Sequence, residues 1–288
     1  MSFFGRLKWF FLCLSALLIH ANPPKVFDCF PFCNEIELLK MRLGELNDVV
    51  DYFVLVESIE TQKGTIKPLY FELNKHLFSE YLHKIIHVAL RNTTPPRPPG
   101  DWWREHHQRR CIGLGLEGHC ADDDIVMISD LDEIPRKAFF PRYKQGLADG
   151  YFAYGLHMPL YRHRLNWTDK NDNPAWKDWV GTVVTTYKNF KKYDAQYFRE
   201  HRGEPSWPQV PNGGWHFSSM GNNDAIRAKM ANVIEGTNIP TDVELQTAFQ
   251  AYKAIPVDDS YPEYVLKNYD YLVSVGLIDP STPPTFQR

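Results

Sequence analysis

Long hydrophobic runs are scarce in this 288-residue chain. The longest, Trp9 to Ile19, has eleven residues, short of the ~20 that a helix needs to span a bilayer. With Arg6 and Lys8 before it and Ala21 after it, the run reads as a signal peptide over residues 1–21. If residues 3–19 stay in the membrane, the same segment is a short uncleaved anchor. Charge of one sign is also lacking. The balance of 32 basic against 35 acidic residues leaves −3, without the basic excess of a nucleic-acid groove. Cysteine is sparse, and no Cys-x-x-Cys pair is present, which argues against a structural zinc site. Cys13 falls in the apolar run, while Cys29, Cys33, Cys111 and Cys120 allow three pairings that the sequence does not choose between. Internal repeats and low-complexity tracts are absent.

What is plentiful is aromatic. Phe, Trp and Tyr make up 14% of the chain, with eight Trp and fifteen Tyr. Such side chains fill cores first and form sugar-stacking platforms second. Hydrophobic content of 43% and charged content of 23% describe a folded globule, with residues 22–288 long enough for one sizeable core. Asn92-Thr-Thr94 and Asn166-Trp-Thr168 are glycosylation sequons and agree with a lumenal or extracellular address.

The elements alternate. Val26–Phe30 reads as a strand, and Asn34 as the cap of a helix with Ile36, Leu39, Leu43 and Leu46 on one face. Tyr52–Glu57 is apolar nearly throughout, as in a strand buried on both faces of a parallel sheet. Leu73–Leu82 looks helical, Lys84–Leu90 extended, and the proline-rich 91–100 irregular. A helix over Asp101–Leu116, with Asp101 as N-cap, precedes a strand at 124–129. This rhythm predicts an α/β fold with a mostly parallel central sheet flanked by helices. Further on, Tyr151–Tyr161, Val180–Tyr187 and Gly214–Ser218 read as strands. Asn222–Glu235, Asp242–Tyr252 and Glu263–Leu272 read as helices.

The strand at 124–129 delivers Asp130-Leu-Asp132-Glu133. From Asp122 to Glu133 there are six acids and no Lys or Arg. Like charges at ~4 Å and an effective dielectric near 20 repel by about 4 kcal/mol per pair, so a positive group belongs there. The simplest candidate is a divalent cation, Mn²⁺ or Mg²⁺, held by Asp130 and Asp132 with open positions for phosphate oxygens. Such an ion would stabilise a departing diphosphate, and a sugar-nucleotide donor fits that chemistry. The plainer reading is a polar turn whose acids point into water. In Asn212-Gly-Gly-Trp-His216, the glycines permit close backbone approach and a neutral His216 would complete a metal shell. A purely structural turn is the alternative there.

Six blocks run in order along the chain: Val26-Phe-Asp-Cys-Phe30, Met41-Arg-Leu-Gly-Glu-Leu46, Val54-Leu-Val-Glu57-Ser58, Ile128-Ser-Asp-Leu-Asp-Glu-Ile-Pro135, Gly214-Trp-His-Phe217 and Leu266-Lys-Asn-Tyr-Asp270. Together they resemble glycosyltransferase family 17. The resemblance implies a GT-A-like fold, a single nucleotide-sugar-binding catalytic domain over residues 22–288 and UDP-N-acetylglucosamine (UDP-GlcNAc) as donor. It also implies inverting, metal-dependent transfer to the 4-hydroxyl of the core β-mannose of an N-glycan acceptor, in the Golgi lumen or in secreted form. Asp130 and Asp132 take the metal-binding role, and His216 resembles a later metal ligand. Inversion requires a carboxylate base, for which Asp178 and Glu200 are the candidates. Glu57 and the arginines of the 101–116 helix, Arg104 and Arg109, are candidate nucleotide contacts. For the arginines, a helix-surface ion-pair network is the alternative. Acceptor choice would rest on loops 157–179 and 188–212. Other readings are a transferase with another donor or a non-N-glycan acceptor, a non-catalytic carbohydrate-binding protein on the same scaffold, and a metal-dependent phosphohydrolase.

Overall fold

A computed structural model describes residues 23–286. The expected signal peptide or anchor over 1–21, and Cys13 with it, lies outside the described residues. Among the described residues no helix is long and apolar enough to cross a membrane.

The strands, in chain order, are β1 Val26–Phe32, β2 Tyr52–Ser58, β3 Ile85–Leu90, β4 Ile125–Ile128, β5 Glu133–Pro135, β6 Ala153–Met158, β7 Leu160–Arg162, β8 Trp167–Asp169, β9 Trp179–Thr186, β10 Gln209–Val210, β11 Gly214–Ser218 and β12 Tyr252–Ala254. Seven of them form the main sheet in the order β10-β6-β9-β4-β1-β2-β3. Strands β3, β2, β1 and β4 are mutually parallel, and β9 runs antiparallel to both β4 and β6. The mixed α/β architecture with a mostly parallel sheet therefore stands as the sequence predicts.

Alternate residues explain the near-continuous apolar strands. Val26, Phe30, Phe53, Leu55, Ile125 and Met127 enter one core, together with the helix Ile36–Leu46. Phe27, Cys29, Val54, Val56, Val126 and Ile128 enter a second core on the opposite face, where the short helix Ile112–Leu116 packs. A sheet covered on both sides needs apolar residues at both parities. Gly115 allows the close approach of that helix, because a Cβ there would lie 2.4 Å from Val54 Cγ1.

Several boundaries differ from the sequence expectation. Glu35, not Asn34, occupies the N-cap of the first helix; its carboxylate turns back to accept the Asn34 N–H at 3.0 Å. The expected helix 101–116 is two helices, Trp103–Arg110 and Ile112–Leu116, since Gly113 and Gly115 weaken its second half. Asp101 still accepts the Trp103 N–H at 2.9 Å, although Trp102 is the capping residue. The expected strand 151–161 divides at Pro159 into β6 and β7, because proline has no ladder donor to offer. The helix expected over Asn222–Glu235 is Asn223–Asn232, capped by the Asn222 side chain. Leu73–Leu82 is not one helix: a five-residue α-helix, Tyr70–Asn74, is followed by the 3₁₀ segments Lys75–Phe78 and Leu82–Lys84.

The division at Pro159 has a consequence for the site. Strand β6 stays in the main sheet, whereas β7 joins a separate three-stranded sheet in the order β5-β11-β7. That small sheet follows directly from the Asp130–Asp132 turn and pairs Glu133 with His216.

The four described cysteines are free thiols. One of the two sequons is structural. Asn166 is buried, donates to the carbonyls of Ile255 and Asp279 at 3.1 and 2.9 Å, and accepts the Asp279 N–H at 2.9 Å. Asn92 is exposed. In material secreted from a eukaryotic host, glycopeptide mass spectrometry should find glycan at Asn92 and none at Asn166. Asn166→Ala should cost about 1–3 kcal/mol by leaving buried backbone groups unpaired, and Asn92→Gln less than about 0.5 kcal/mol. A glycan on Asn166 of folded protein would overturn this assignment.

Candidate active site

The carboxyl ends of β1, β2 and β4 open into a cleft of about 370 Å³. Cys33 and Glu35 border it after β1, Glu60 to Gln62 after β2, and Asp130 to Asp132 after β4. The chain leaves β1 toward β2 on one side and meets β4 on the other. This is the kind of switch point where open α/β sheets bind ligands.

The acidic turn is held from beneath by a buried arginine. Arg42 projects from the first helix onto Asp28 of β1, with Nε and Nη2 donating to the carboxylate at 2.7 and 2.6 Å. Its remaining hydrogens reach the turn itself. Nη1 donates to the carbonyls of Asp130, Leu131 and Glu133 at 3.0, 3.1 and 3.0 Å, and Nη2 to Ser129 Oγ at 2.6 Å. Both charged residues are fully buried, so the pair substitutes for water on each side.

Three further cations answer the acids. Arg109 donates to Asp130 at 3.0 Å and to Glu105 at 2.6 Å. Arg199 donates to Asp130 at 2.7 Å and takes both carboxylate oxygens of Glu133 at 2.8 and 2.7 Å. Lys229 donates to Asp132 at 2.9 Å. Burial alone would raise the pKa of Asp130 and Asp132. Arg199 and Arg109 outweigh it at Asp130, and Lys229 at Asp132, so both lie below the ordinary carboxylate range. Glu105 goes the other way: burial lifts its pKa, and Arg109 only partly offsets that. Glu133 is a brace, fully buried, accepting the Asp130 N–H at 2.9 Å and the Trp179 indole N–H at 2.7 Å.

Strand β11 brings His216 in. Its Nε2 lies 3.7 Å from Asp132 Oδ1, and its ring packs at 4.9 Å from that of Trp179. Burial lowers the imidazole pKa against the pull of Asp132 and Glu133, which favours the neutral ring. A separation of 3.7 Å is too long for a hydrogen bond. It falls within the span of about 3–4 Å between two ligands of one Mg²⁺-sized ion. One carboxylate and one neutral imidazole so placed fit Mn²⁺ or Mg²⁺. Among the described residues no three Asp, Glu, His or Cys side chains are already gathered as a metal cage. Asp130 shares the cleft but is turned to its two arginines.

The sequence profile of glycosyltransferase family 17 matches residues 12–220, more than half of the chain. The chain belongs to glycosyltransferase family 17. Its relatives include proteins named beta-1,4-mannosyl-glycoprotein 4-beta-N-acetylglucosaminyltransferase from rat (Rattus norvegicus) and human (Homo sapiens). Each is 31% identical over 146 residues, covering 48% of this chain and 27% of the relative. The mouse (Mus musculus) protein of the same name is 30% identical over the same length. The match thus spans about a quarter of the length of these relatives. Among solved structures, 4-diphosphocytidyl-2C-methyl-D-erythritol synthase from Anaerococcus prevotii DSM 20548 overlays with a TM-score of 0.35. Its identity is 10%, over 65% of this chain and 86% of that one, a likeness too slight to support an argument.

The residues singled out from sequence in this glycosyltransferase separate into two groups. Asp130, Asp132, His216 and Arg109 all border the cleft. Glu57, Arg104, Asp178 and Glu200 do not. Glu57 is fully buried, accepting the Phe71 N–H at 3.1 Å beside Lys67 and His87, and has no exposed atom for a nucleotide. Arg104 donates to Thr94 at 2.9 Å and lies 3.8 Å from Glu60, bracing the loop behind the cleft. Asp178 is 69% exposed and paired with His157, and Glu200 is exposed, accepting from Gln196 at 3.0 Å. The immediate neighbours of these two, Trp179 and Arg199, are the residues that face inward. Arg42, Arg199 and Lys229 were not anticipated. Arg42 follows Leu38 and Leu39 on the buried face of its helix, and Lys229 lies three residues after the buried Ile226. A charge on an apolar stripe was the available signal for both.

Proposed function

We propose that this glycosyltransferase is a metal-dependent, inverting N-acetylglucosaminyltransferase with a GT-A fold. It would transfer GlcNAc from UDP-GlcNAc to the 4-hydroxyl of the core β-mannose of N-glycans. The observation that carries the reading is the 3.7 Å approach of His216 to Asp132 in a cleft at the sheet's switch point. Family membership and the relatives' names support the sugar. Asp132 and His216, with Asp130 beside them, would hold Mn²⁺ or Mg²⁺, which when bound supplies Lewis-acid charge to the departing diphosphate.

The rest falls to the chain's own groups. Arg42 fixes the turn, so the carboxylates do not reorganise as charge develops. Glu133 and Trp179 set the rotamer of Arg199 and the plane of His216. A cleft carboxylate must take the proton of the attacking hydroxyl, and Glu105 has the raised proton affinity that a base requires. The apolar run Trp9–Ile19 and the exposed Asn92 sequon support a secretory-pathway address, Golgi-anchored or secreted.

The test is a donor screen of the purified chain with a biantennary N-glycan acceptor, in Mn²⁺ and in EDTA. UDP release with a new β-linked GlcNAc, in Mn²⁺ only, is the expected result. Equal rates with UDP-galactose or UDP-glucose would remove the donor assignment, and full activity in EDTA the metal. In the same screen, a Glu105→Gln variant as fast as the parent would exclude Glu105 as base.

A further inference from the structure

Five cationic side chains border the cleft: Lys67, Arg109, Arg162, Arg199 and Lys229. Four of them face carboxylates, Lys67 meeting Glu57 at 3.5 Å and the others the acids described above. Arg162 differs. Among the described residues its guanidinium has no ion pair and makes no hydrogen bond, and its buried Nε has no partner. Its neighbour is the ring of Trp176, 5.5 Å away. A buried guanidinium N–H left unmatched is costly unless something else completes it.

Its position indicates what completes it. Strands β7 and β11 are parallel, with His216 opposite Leu160 and Ser218 opposite Arg162. Alternation sends Leu160, Arg162, His216 and Ser218 to one face of this pair, and all four border the cleft. Arg162 therefore stands one strand away from His216 and one alternation step further along. The backbone just beyond it is fixed: His163 and Ser219 both take left-handed conformations, at φ 68° and 53°, and the His163 N–H donates to the Ser218 carbonyl at 3.1 Å.

We propose that Arg162 binds the diphosphate of the nucleotide-sugar donor, an inference that rests on the reading of this cleft as the donor site. The planar fork of a guanidinium matches two phosphate oxygens. Of the two substrates, the N-glycan core carries no charge and the diphosphate does. During transfer the acceptor oxygen forms a bond to the anomeric carbon as the bond from that carbon to the diphosphate breaks. The bonding pair stays on the departing oxygen, so the diphosphate gains one negative charge while the hydroxyl proton passes to the base. Arg109, Arg199 and Lys229 already serve carboxylates. Arg162 is the cation in place with no such commitment, and it meets that charge without rearrangement.

UDP and uridine are titrated by calorimetry into the parent, Arg162→Gln and Arg162→Lys, each with Mn²⁺. Arg162→Gln is expected to bind UDP on the order of 10- to 100-fold more weakly, the span of one lost charge-assisted hydrogen bond or pair of bonds. Uridine affinity should be unchanged, and the lysine variant should recover part of the loss. Thermal midpoints should agree, since no protein hydrogen bond is removed. Equal UDP binding by parent and Arg162→Gln would overturn the proposal, and so would a parallel loss for UDP and uridine. If the parent itself does not bind UDP, it is the function proposed above that fails.

Discussion

Arg42→Met is expected to lower the unfolding free energy by about 3–5 kcal/mol, the usual result of stranding one member of a buried ion pair. The loss has two parts. Asp28 would keep a carboxylate in a core that otherwise contains Val26, Phe30 and Phe53, and three carbonyls of the Asp130–Glu133 turn would lose their common donor. A double variant separates the two. Asp28→Leu with Arg42→Met removes the stranded charge and should regain much of the stability, because an apolar replacement of a buried pair is often neutral. It should not regain UDP affinity, because the turn still lacks its brace. Urea unfolding measures the first quantity and calorimetry with UDP and Mn²⁺ the second. If Arg42→Met unfolds within about 1 kcal/mol of the parent, below the range for such pairs, Arg42 is not the support described here. If the double variant binds UDP as the parent does, the support is not needed for the site.

That arginine also shows where sequence reasoning reaches and where it stops. The strands were legible because a sheet covered on both faces leaves an unbroken apolar signature, and 53–56 and 125–128 carry it. The acids of the turn were legible because like charges at the end of a buried strand demand a counter-charge. The counter-charge itself was not, because the sequence between Asp122 and Glu133 supplies none. The structure draws it from 109, 199 and 229, three places brought together only by the fold. Asp178 and Glu200 illustrate the complementary difficulty. Each is one residue from an inward-facing neighbour, and a shift of one position reverses a strand face or swings a helical residue by about 100°. Glu57 looked available because it ends a strand near a ligand-binding edge. Inside the fold, its carboxylate meets an otherwise orphaned helix N–H at Phe71.

The second large effect concerns Asp132 and the ion proposed for it. Within the fold, Lys229 neutralises Asp132, and Arg109 with Arg199 neutralises Asp130. The two carboxylates therefore do not depend on a divalent cation for their counter-charge. EDTA should abolish transfer while leaving the thermal midpoint of the ligand-free protein unchanged to within about 2 °C, less than the shift expected for a loss of 1 kcal/mol. Mn²⁺ with UDP at a hundred times its dissociation constant should then stabilise the protein by about 2.7 kcal/mol. For a domain of this size that raises the midpoint by roughly 5–10 °C. Asp132→Asn keeps the shape of the side chain but forfeits its charge, so kcat/KM should fall by about 10²–10⁴-fold, the equivalent of several kcal/mol of lost charge stabilisation. The rise in midpoint with Mn²⁺ and UDP should disappear in the same variant. A large destabilisation by EDTA alone would make the metal structural, contrary to the observed ion pairs. Retention of both activity and the UDP-dependent rise in Asp132→Asn would remove Asp132 from the metal site and leave Arg162 to hold the diphosphate without it.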